Sequence, residues 1–145
     1  MKKELVKDWM SADVITITPE TTLPEAHQIM TAEEIRRLPV VDRAGRLVGI
    51  VSIGDIRSAE PSPATSLSIW EMNYLLSALT IDKIMTPNPR TIAADATIAE
   101  AARMMLEYRV SGLPVIDEEF RVVGIITESD IFSMVVLHEW SKEHA

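Results

Sequence analysis

Two short runs place a hydroxyl and a carboxylate three residues apart, Ser52 with Asp55 and Thr127 with Asp130. At the start of a helix that spacing suits two kinds of chemistry. An aspartate can accept both hydroxyls of a ribose, a hydroxyl at a helix N-terminus can hold a phosphate, and a nearby arginine can neutralise its charge. The same spacing is also a capping box, in which hydroxyl and carboxylate satisfy each other's backbone amides without any ligand, although Glu or Gln is the usual partner and Asp is shorter. The residues leave both readings open. The adjacent Arg36 and Arg37 supply positive charge for the first reading, or are solvated arginines beside Glu33 and Glu34. Other chemistry finds little footing. His27, His138 and His144 stand in no HExxH or triad context, and neither a GxSxG elbow nor a GxxxxGK[ST] loop occurs. Zero cysteines remove thiolate metal sites, disulfides and a cysteine nucleophile. No enzyme, no metal site and no required cofactor are expected.

The elements that carry these runs form a repeat. Sliding the sequence by 75 positions superposes residues 8–56 on 83–131 without a gap and with 17 identities in 49, enough to predict two copies of one fold. Each copy reads strand, helix, strand, strand, helix. The first strand is Val14–Ile17, matched by Arg90–Ile92. The helix after it is capped by Thr21 or Thr22, holds Pro24 in its first turn, and carries Leu23, Ala26, Ile29, Met30 and Ile35 as its apolar face, with Ile98, Ala101, Met104, Met105 and Tyr108 as the twin. Two β-rich runs follow, Leu38–Val41 and Leu47–Val51, turning through Asp42-Arg43-Ala44-Gly45, where the second copy has Asp117-Glu118-Glu119-Phe120. The last helix starts after Ser52 or Thr127. Between the copies, Ser58–Thr65 reads as a linker, and Ser68 with Glu71 starts a helix bearing Ile69, Met72, Leu75, Leu76 and Leu79 that is expected to pack over the pair. Aromatic residues at helical spacing, such as Trp70 and Tyr74, are expected in core or interface. The divisions are residues 5–60 for the first repeat, 61–80 for the linker with its helix, 81–137 for the second repeat and 138–145 for a tail.

Leu38-Pro39-Val40-Val41-Asp42 followed by Gly49-Ile50-Val51-Ser52-Ile53-Gly54-Asp55 resembles the signature of the CBS domain. Leu113-Pro114-Val115-Ile116-Asp117 and Gly124-Ile125-Ile126-Thr127-Glu128-Ser129-Asp130 repeat it. The stretch from Ala64 to Leu76 is similar to bacterial CBS proteins of the acetoin-utilisation type, though no ACT domain occurs up to Ala145. The resemblance implies an α/β (α+β) fold of two pseudo-symmetric β-α-β-β-α repeats packed sheet to sheet with a linker helix, a tandem pair known as a Bateman module. It implies a regulatory role in which an adenosine-containing ligand (AMP, ADP, ATP or S-adenosylmethionine) binds between the repeats and changes the arrangement of repeats or dimer halves. The alternative is a ligand-free scaffold for dimerisation or protein interaction.

The family pattern combines the helix-start aspartate of one repeat with the first strand and the residues before the LPV run of the other. One cleft would then hold Thr127, Ser129 and Asp130 with Ile15, Ile35, Arg36 and Arg37. The second would hold Ser52, Gly54 and Asp55 with Val110, Ser111, Gly112 and Arg90. Only the first has the paired arginines, so a phosphorylated nucleotide is expected to prefer it.

With 14 Lys plus Arg against 22 Asp plus Glu in 145 residues, the net charge is −8 and no basic stretch is present, which disfavours nucleic acid. Hydrophobic residues make up 47% of the chain, enough to build a core. Yet the longest apolar runs, such as Val122–Ile126 and Met134–Leu137, fall far short of a membrane span, which takes about 20 residues. Charges at Lys2, Lys3, Glu4, Lys7 and Asp8 break up any signal-peptide core, so a cytoplasmic protein is expected. The final helix, Ile131–Trp140, is apolar on more than one face, which together with the family habit points to a homodimer, with an effector protein still unknown.

Overall fold

The computed structural model describes residues 4–60 and 68–140, so most of the expected linker and residues 141–145 of the tail lie outside the described residues. The helices in chain order are α1 (Val6–Trp9), α2 (Leu23–Glu33), α3 (Ile53–Ala59), α4 (Ile69–Ala78), α5 (Ile98–Tyr108) and α6 (Glu128–Met134). The strands are β1 (Arg37–Val41), β2 (Leu47–Ser52), β3 (Thr86–Pro87), β4 (Ile92–Ala93), β5 (Gly112–Ile116) and β6 (Val122–Thr127). A short 3₁₀ turn covers Ile81–Lys83, and a π-helix, Val135–Trp140, continues α6. The chain forms two compact units, one of Ile15–Pro89 and one of Met1–Val14 with Arg90–Ala145.

In the first-repeat unit, the Thr22 hydroxyl accepts from the Glu25 amide at 3.4 Å while the Glu25 carboxylate accepts from the Thr22 amide at 3.2 Å, which starts α2. Glu34, left-handed at φ 55°, ends it one residue short of Ile35. Leu23, Ala26 and Met30 thus point inward, where they meet Leu38 and Val40 of β1, Val51 of β2, Ile56 of α3 and Ile81. The β1–β2 hairpin turns on Asp42, whose Oδ1 accepts from the amides of Ala44 and Arg46 at 2.9 and 3.0 Å, with Gly45 at φ 82°. The sheet order is β1-β2-β3, all antiparallel.

The second-repeat unit repeats this frame. Thr97 caps α5, Arg109 ends it at φ 55°, and Asp117 Oδ1 holds the hairpin turn at 2.9 Å from the amides of Glu119 and Arg121. Here Phe120 adopts the left-handed conformation, at φ 65°. Register agrees residue for residue: Arg37 faces Ser52 as Gly112 faces Thr127, and both hairpins shift register at the equivalent step, Val40/Val41 and Val115/Ile116. The core gathers Val6, Ile92, Ile98, Ala101, Met105, Leu113, Val115 and Ile126.

The structure departs from the expected elements where side-chain period carries little signal. The strand expected at Val14–Ile17 is a single parallel bridge from Ile17 to Val40, and that expected at Arg90–Ile92 is β4, displaced toward its C-terminal end. Ser58 and Ala59, expected in the linker, finish α3, and Leu79 caps the end of α4 instead of lying inside it. Trp70 and Tyr74 are 84% and 75% exposed, so they do not belong to the core of this unit. The final helix is α only to Met134 and π beyond.

The segment leading into each repeat closes a unit in a way its sequence did not announce. Thr86–Pro87 adds a third strand beside β2, and Ser11 bridges Ile125 of β6 at the equivalent place. Both approaches need glycine. A Cβ on Gly49 would run into Met85 Sδ, and one on Gly124 would lie 2.5 Å from Met10 Sδ. The leading residues 4–14 accordingly belong to the unit of the second repeat, and 80–89 to that of the first. The compact units therefore cut the chain differently from the sequence repeats.

Candidate functional site

The two helix starts are built on the same backbone but bonded differently. At α3 the Asp55 amide donates to Ser52 Oγ at 3.1 Å, and the Ser52 amide donates to Asp55 Oδ2 at 2.8 Å, a reciprocal box. At α6 the Thr127 amide and the Thr127 hydroxyl both donate to Asp130 Oδ2, at 2.9 and 3.2 Å. The threonine hydroxyl thus bonds the carboxylate, and its approach to the Asp130 amide, although it completes a capping box, is looser than that of the serine hydroxyl to the Asp55 amide. In neither case does the bonding exhaust the aspartate, because Oδ1 of Asp55 and of Asp130 meets no donor among the described residues. Both aspartates are half-buried. A cap that uses one oxygen and a ligand that uses the other are compatible, so the two readings of the spacing are not exclusive.

Each unit sets the residues before its LPV run next to its own helix start. The Ile53 amide donates to the Arg36 carbonyl at 2.8 Å, and Arg37 lies opposite Ser52 in the sheet. The exposed Arg36 lines a groove of about 420 Å³ with Met30, Thr31, Glu34, Ile35, Ile53 and Arg57. Ile15 packs against the core of the same unit, and Gly54 is exposed at the first turn of α3. In the second-repeat unit the Glu128 amide donates to the Ser111 carbonyl at 3.1 Å, Gly112 lies opposite Thr127, Val110 packs on the core, and Ser129 is exposed. The Arg90 guanidinium carbon sits 4.0 Å from the centroid of the Tyr108 ring.

Expected groupings and compact units therefore run crosswise. Ile15, Ile35, Arg36, Arg37, Ser52, Gly54 and Asp55 belong to one unit, and Arg90, Val110, Ser111, Thr127, Ser129 and Asp130 to the other. Sequence reasoning did not single out Arg57, which lines the groove with Arg36. Its place four residues into a helix that starts at Ile53 was the available signal. Nor did it find Tyr108 on Arg90, because no helical or strand period links a residue ahead of β4 to the last residue of α5. Among the described residues, no group of three or more His, Asp or Glu is placed to hold a metal, and no helix is long and apolar enough to cross a membrane.

Two copies of a β-α-β-β-α frame, each with a hydroxyl and an aspartate at the start of its last helix, define a tandem CBS pair, and the chain belongs to the CBS domain family. The family's sequence profile matches residues 6–62 and 81–137. A CBS domain-containing protein from Dictyostelium discoideum is 38% identical over 134 residues, which cover 92% of each chain. The CBS domain pair of protein MJ0100, solved with 5′-methylthioadenosine and S-adenosyl-L-methionine, superposes with a TM-score of 0.79 at 34% identity, covering 95% of this chain and all of that one. The plant protein CBSX2 of Arabidopsis thaliana, solved with AMP, gives 0.77 at 25% identity over 92% of this chain and 97% of its own. Enzymes among the relatives are matched over only 21 to 24% of their own lengths.

Proposed function

We propose that the chain is a regulatory, non-catalytic module that binds an adenosine-containing ligand of the AMP, ADP, ATP or S-adenosylmethionine class and signals through a change in the arrangement of repeats or of dimer halves. The observation that carries this reading is the uncommitted Oδ1 of Asp55 and of Asp130, each held at a helix start by a bond to the other carboxylate oxygen. A carboxylate fixed in this way can accept the hydroxyls of a ribose. Pairs with the same frame are solved with adenosine compounds, which supports the ligand class. Thr127, Ser129 and Asp130 acting with Ile15, Ile35, Arg36 and Arg37 form the site for a phosphorylated nucleotide. Ser52, Gly54 and Asp55 acting with Arg90, Val110 and Ser111 form the second.

Thermal unfolding against AMP, ADP, ATP, S-adenosylmethionine and guanosine controls tests this reading. Ligand at 100 times its Kd adds about 2.7 kcal/mol, a shift of several degrees for a chain of this size. The expected result is a saturable, adenosine-selective shift lost in Asp130→Ala and reduced in the Arg36→Ala, Arg37→Ala double variant. No shift with any ligand leaves both helix starts as caps and favours the ligand-free scaffold.

A homodimer completes the reading. Leu106 and Phe132 stand 82% and 65% exposed beside a groove of about 250 Å³ that they line with Ala102, Met105, Glu128 and Ile131, and Val136 and Leu137 are exposed further along the same helix. An apolar face with both protruding side chains and a hollow can pack against its own copy. Light scattering at micromolar concentration should give twice the chain mass, and Phe132→Arg should reduce it to one.

A further inference from the structure

Position 90 is occupied by arginine where the first repeat has Ile15, and position 108 by tyrosine where the first repeat has Glu33. These two changes meet. The Arg90 guanidinium lies over the Tyr108 ring at 4.0 Å, and both residues are exposed. In a chain with 22 carboxylates an exposed arginine would be expected to find one, yet among the described residues Arg90 makes no ion pair and no hydrogen bond. A guanidinium is planar and its five N–H donors lie in the plane, so a ring against its face leaves every donor available while fixing the plane in which they point. The ring replaces part of the entropy cost a mobile arginine meets when it engages a ligand. Val110 and Ser111 follow two and three residues after Tyr108, just past the left-handed Arg109.

We propose that Tyr108 is a positioning residue that presents Arg90, edge first, to the anionic group of the bound adenosine compound, a phosphate or a carboxylate, at the site that includes Val110 and Ser111. This rests on the ligand-binding reading above and deepens it. The second site lacks paired arginines but is given one whose donors are held ready, so it discriminates among adenosine compounds by the anion they carry. The matched position in the first repeat, an isoleucine, has no such group.

AMP and 5′-methylthioadenosine share a nucleoside and differ in the anionic group, which makes them the probes. Each is titrated into the full chain by calorimetry, with the amide signals of Arg90 and Ser111 followed by NMR to report this site. At this site, as those amide signals report it, Arg90→Gln is expected to weaken AMP at least about tenfold, the loss of a charged hydrogen bond, with methylthioadenosine unchanged. Tyr108→Leu is expected to weaken AMP by about two- to fivefold, again without effect on methylthioadenosine, and Tyr108→Phe, which keeps the ring, should restore the wild-type value. Equal weakening of both compounds in Tyr108→Leu would assign the tyrosine a structural role and overturn the proposal, as would unchanged AMP binding. If the wild-type chain binds neither compound, the ligand-binding reading itself fails and this inference falls with it.

Discussion

The groove between α2 and α3 and the groove between α5 and α6 are the same place in two copies of one frame, and their walls have diverged. Met30 and Met105 floor both. At the rim, Thr31 is replaced by Leu106 and Arg57 by Phe132, while Ile53 gives way to Glu128. The first groove therefore opens through Arg36, Arg57 and Glu34, and the second through two large exposed apolar side chains. What persists between the copies is what closes the units: the LPV strands, the bulge, the helix caps and the glycines under the methionines. In the buried core the differences are conservative, as at Leu23/Ile98 and Val51/Ile126, whereas at the groove rims they change the chemistry. A duplicated fold of this kind specifies its elements twice and leaves its surfaces free to differ, here with one groove rimmed by charge and the other by apolar side chains.

Equivalence of the frames can be broken most directly in the cores. Leu38 and Leu113 are fully buried at matched positions, so Leu38→Ala and Leu113→Ala should each cost about 2–5 kcal/mol in urea unfolding, by similar amounts. A cost below about 1 kcal/mol at either would show that its unit relaxes around the cavity and that the two are not equivalent. Next come the glycines. Gly49→Ala and Gly124→Ala each drive a methyl group into a methionine sulfur and the backbone beside it, for an expected loss of about 1–3 kcal/mol. Because the sulfur belongs to the leading segment, hydrogen exchange should rise in residues 80–89 for Gly49→Ala and in 4–14 for Gly124→Ala. Exchange confined to the mutated hairpin would contradict the assignment of those segments.

The helix starts sharpen the comparison at lower energy. Ser52 caps a backbone amide with its hydroxyl, whereas the Thr127 hydroxyl bonds the carboxylate of Asp130. Ser52→Ala should therefore cost about 1 kcal/mol, the usual loss of an N-cap, and Thr127→Ala distinctly less. Equal losses in thermal unfolding would mean that both hydroxyls cap in the same way. In that case the Asp130 carboxylate is no differently prepared for a ligand than Asp55.

Much of this was legible before any coordinates. The 75-residue offset, the LPV strands and a capping threonine at 21 or 22 with Pro24 in the first turn fix the hairpins and the long helices, because each depends on local chemistry that a sequence displays. The third strand was not legible. Thr86 and Pro87 make a two-residue strand with no alternation, set by how closely Met85 can approach Gly49, which is a tertiary fact. Nor was the extent of the first strand legible: of the expected Val14–Ile17, Ile17 makes a single bridge, to Val40, while its side chain enters the core. In the candidate site the spacing of hydroxyl and aspartate announced the motif. It could not say that one hydroxyl would accept from an amide and the other donate to a carboxylate, since Ser and Thr can do either. Arg90 was expected from the family's use of the first strand, and the Tyr108 ring it lies against is 18 positions away, across the full length of α5.

The smallest effect expected distinguishes the two hairpin turns. Asp42 and Asp117 each accept two backbone amides, but their arginines choose differently: Arg46 pairs with Asp42 at 3.3 Å, and Arg121 with Glu119 at 3.0 Å. The Asp42 carboxyl is held below its usual pKa of 3.8, chiefly by the Arg46 amide, against a smaller desolvation effect and with help from the Ala44 amide and the Arg46 guanidinium. A carboxyl with a lowered folded-state pKa contributes stability that is fully present above the unfolded value, near 3.8, and is lost as pH falls through the lower folded value. Asp42→Asn should thus lower the unfolding midpoint slightly at pH 7, and the gap to wild type should close as pH drops below about 4. Salt should shrink the guanidinium's share of that gap without removing the share due to the amides, because the turn is at the surface. A gap independent of pH would show that the side chain acts through the geometry of the turn and not through its charge.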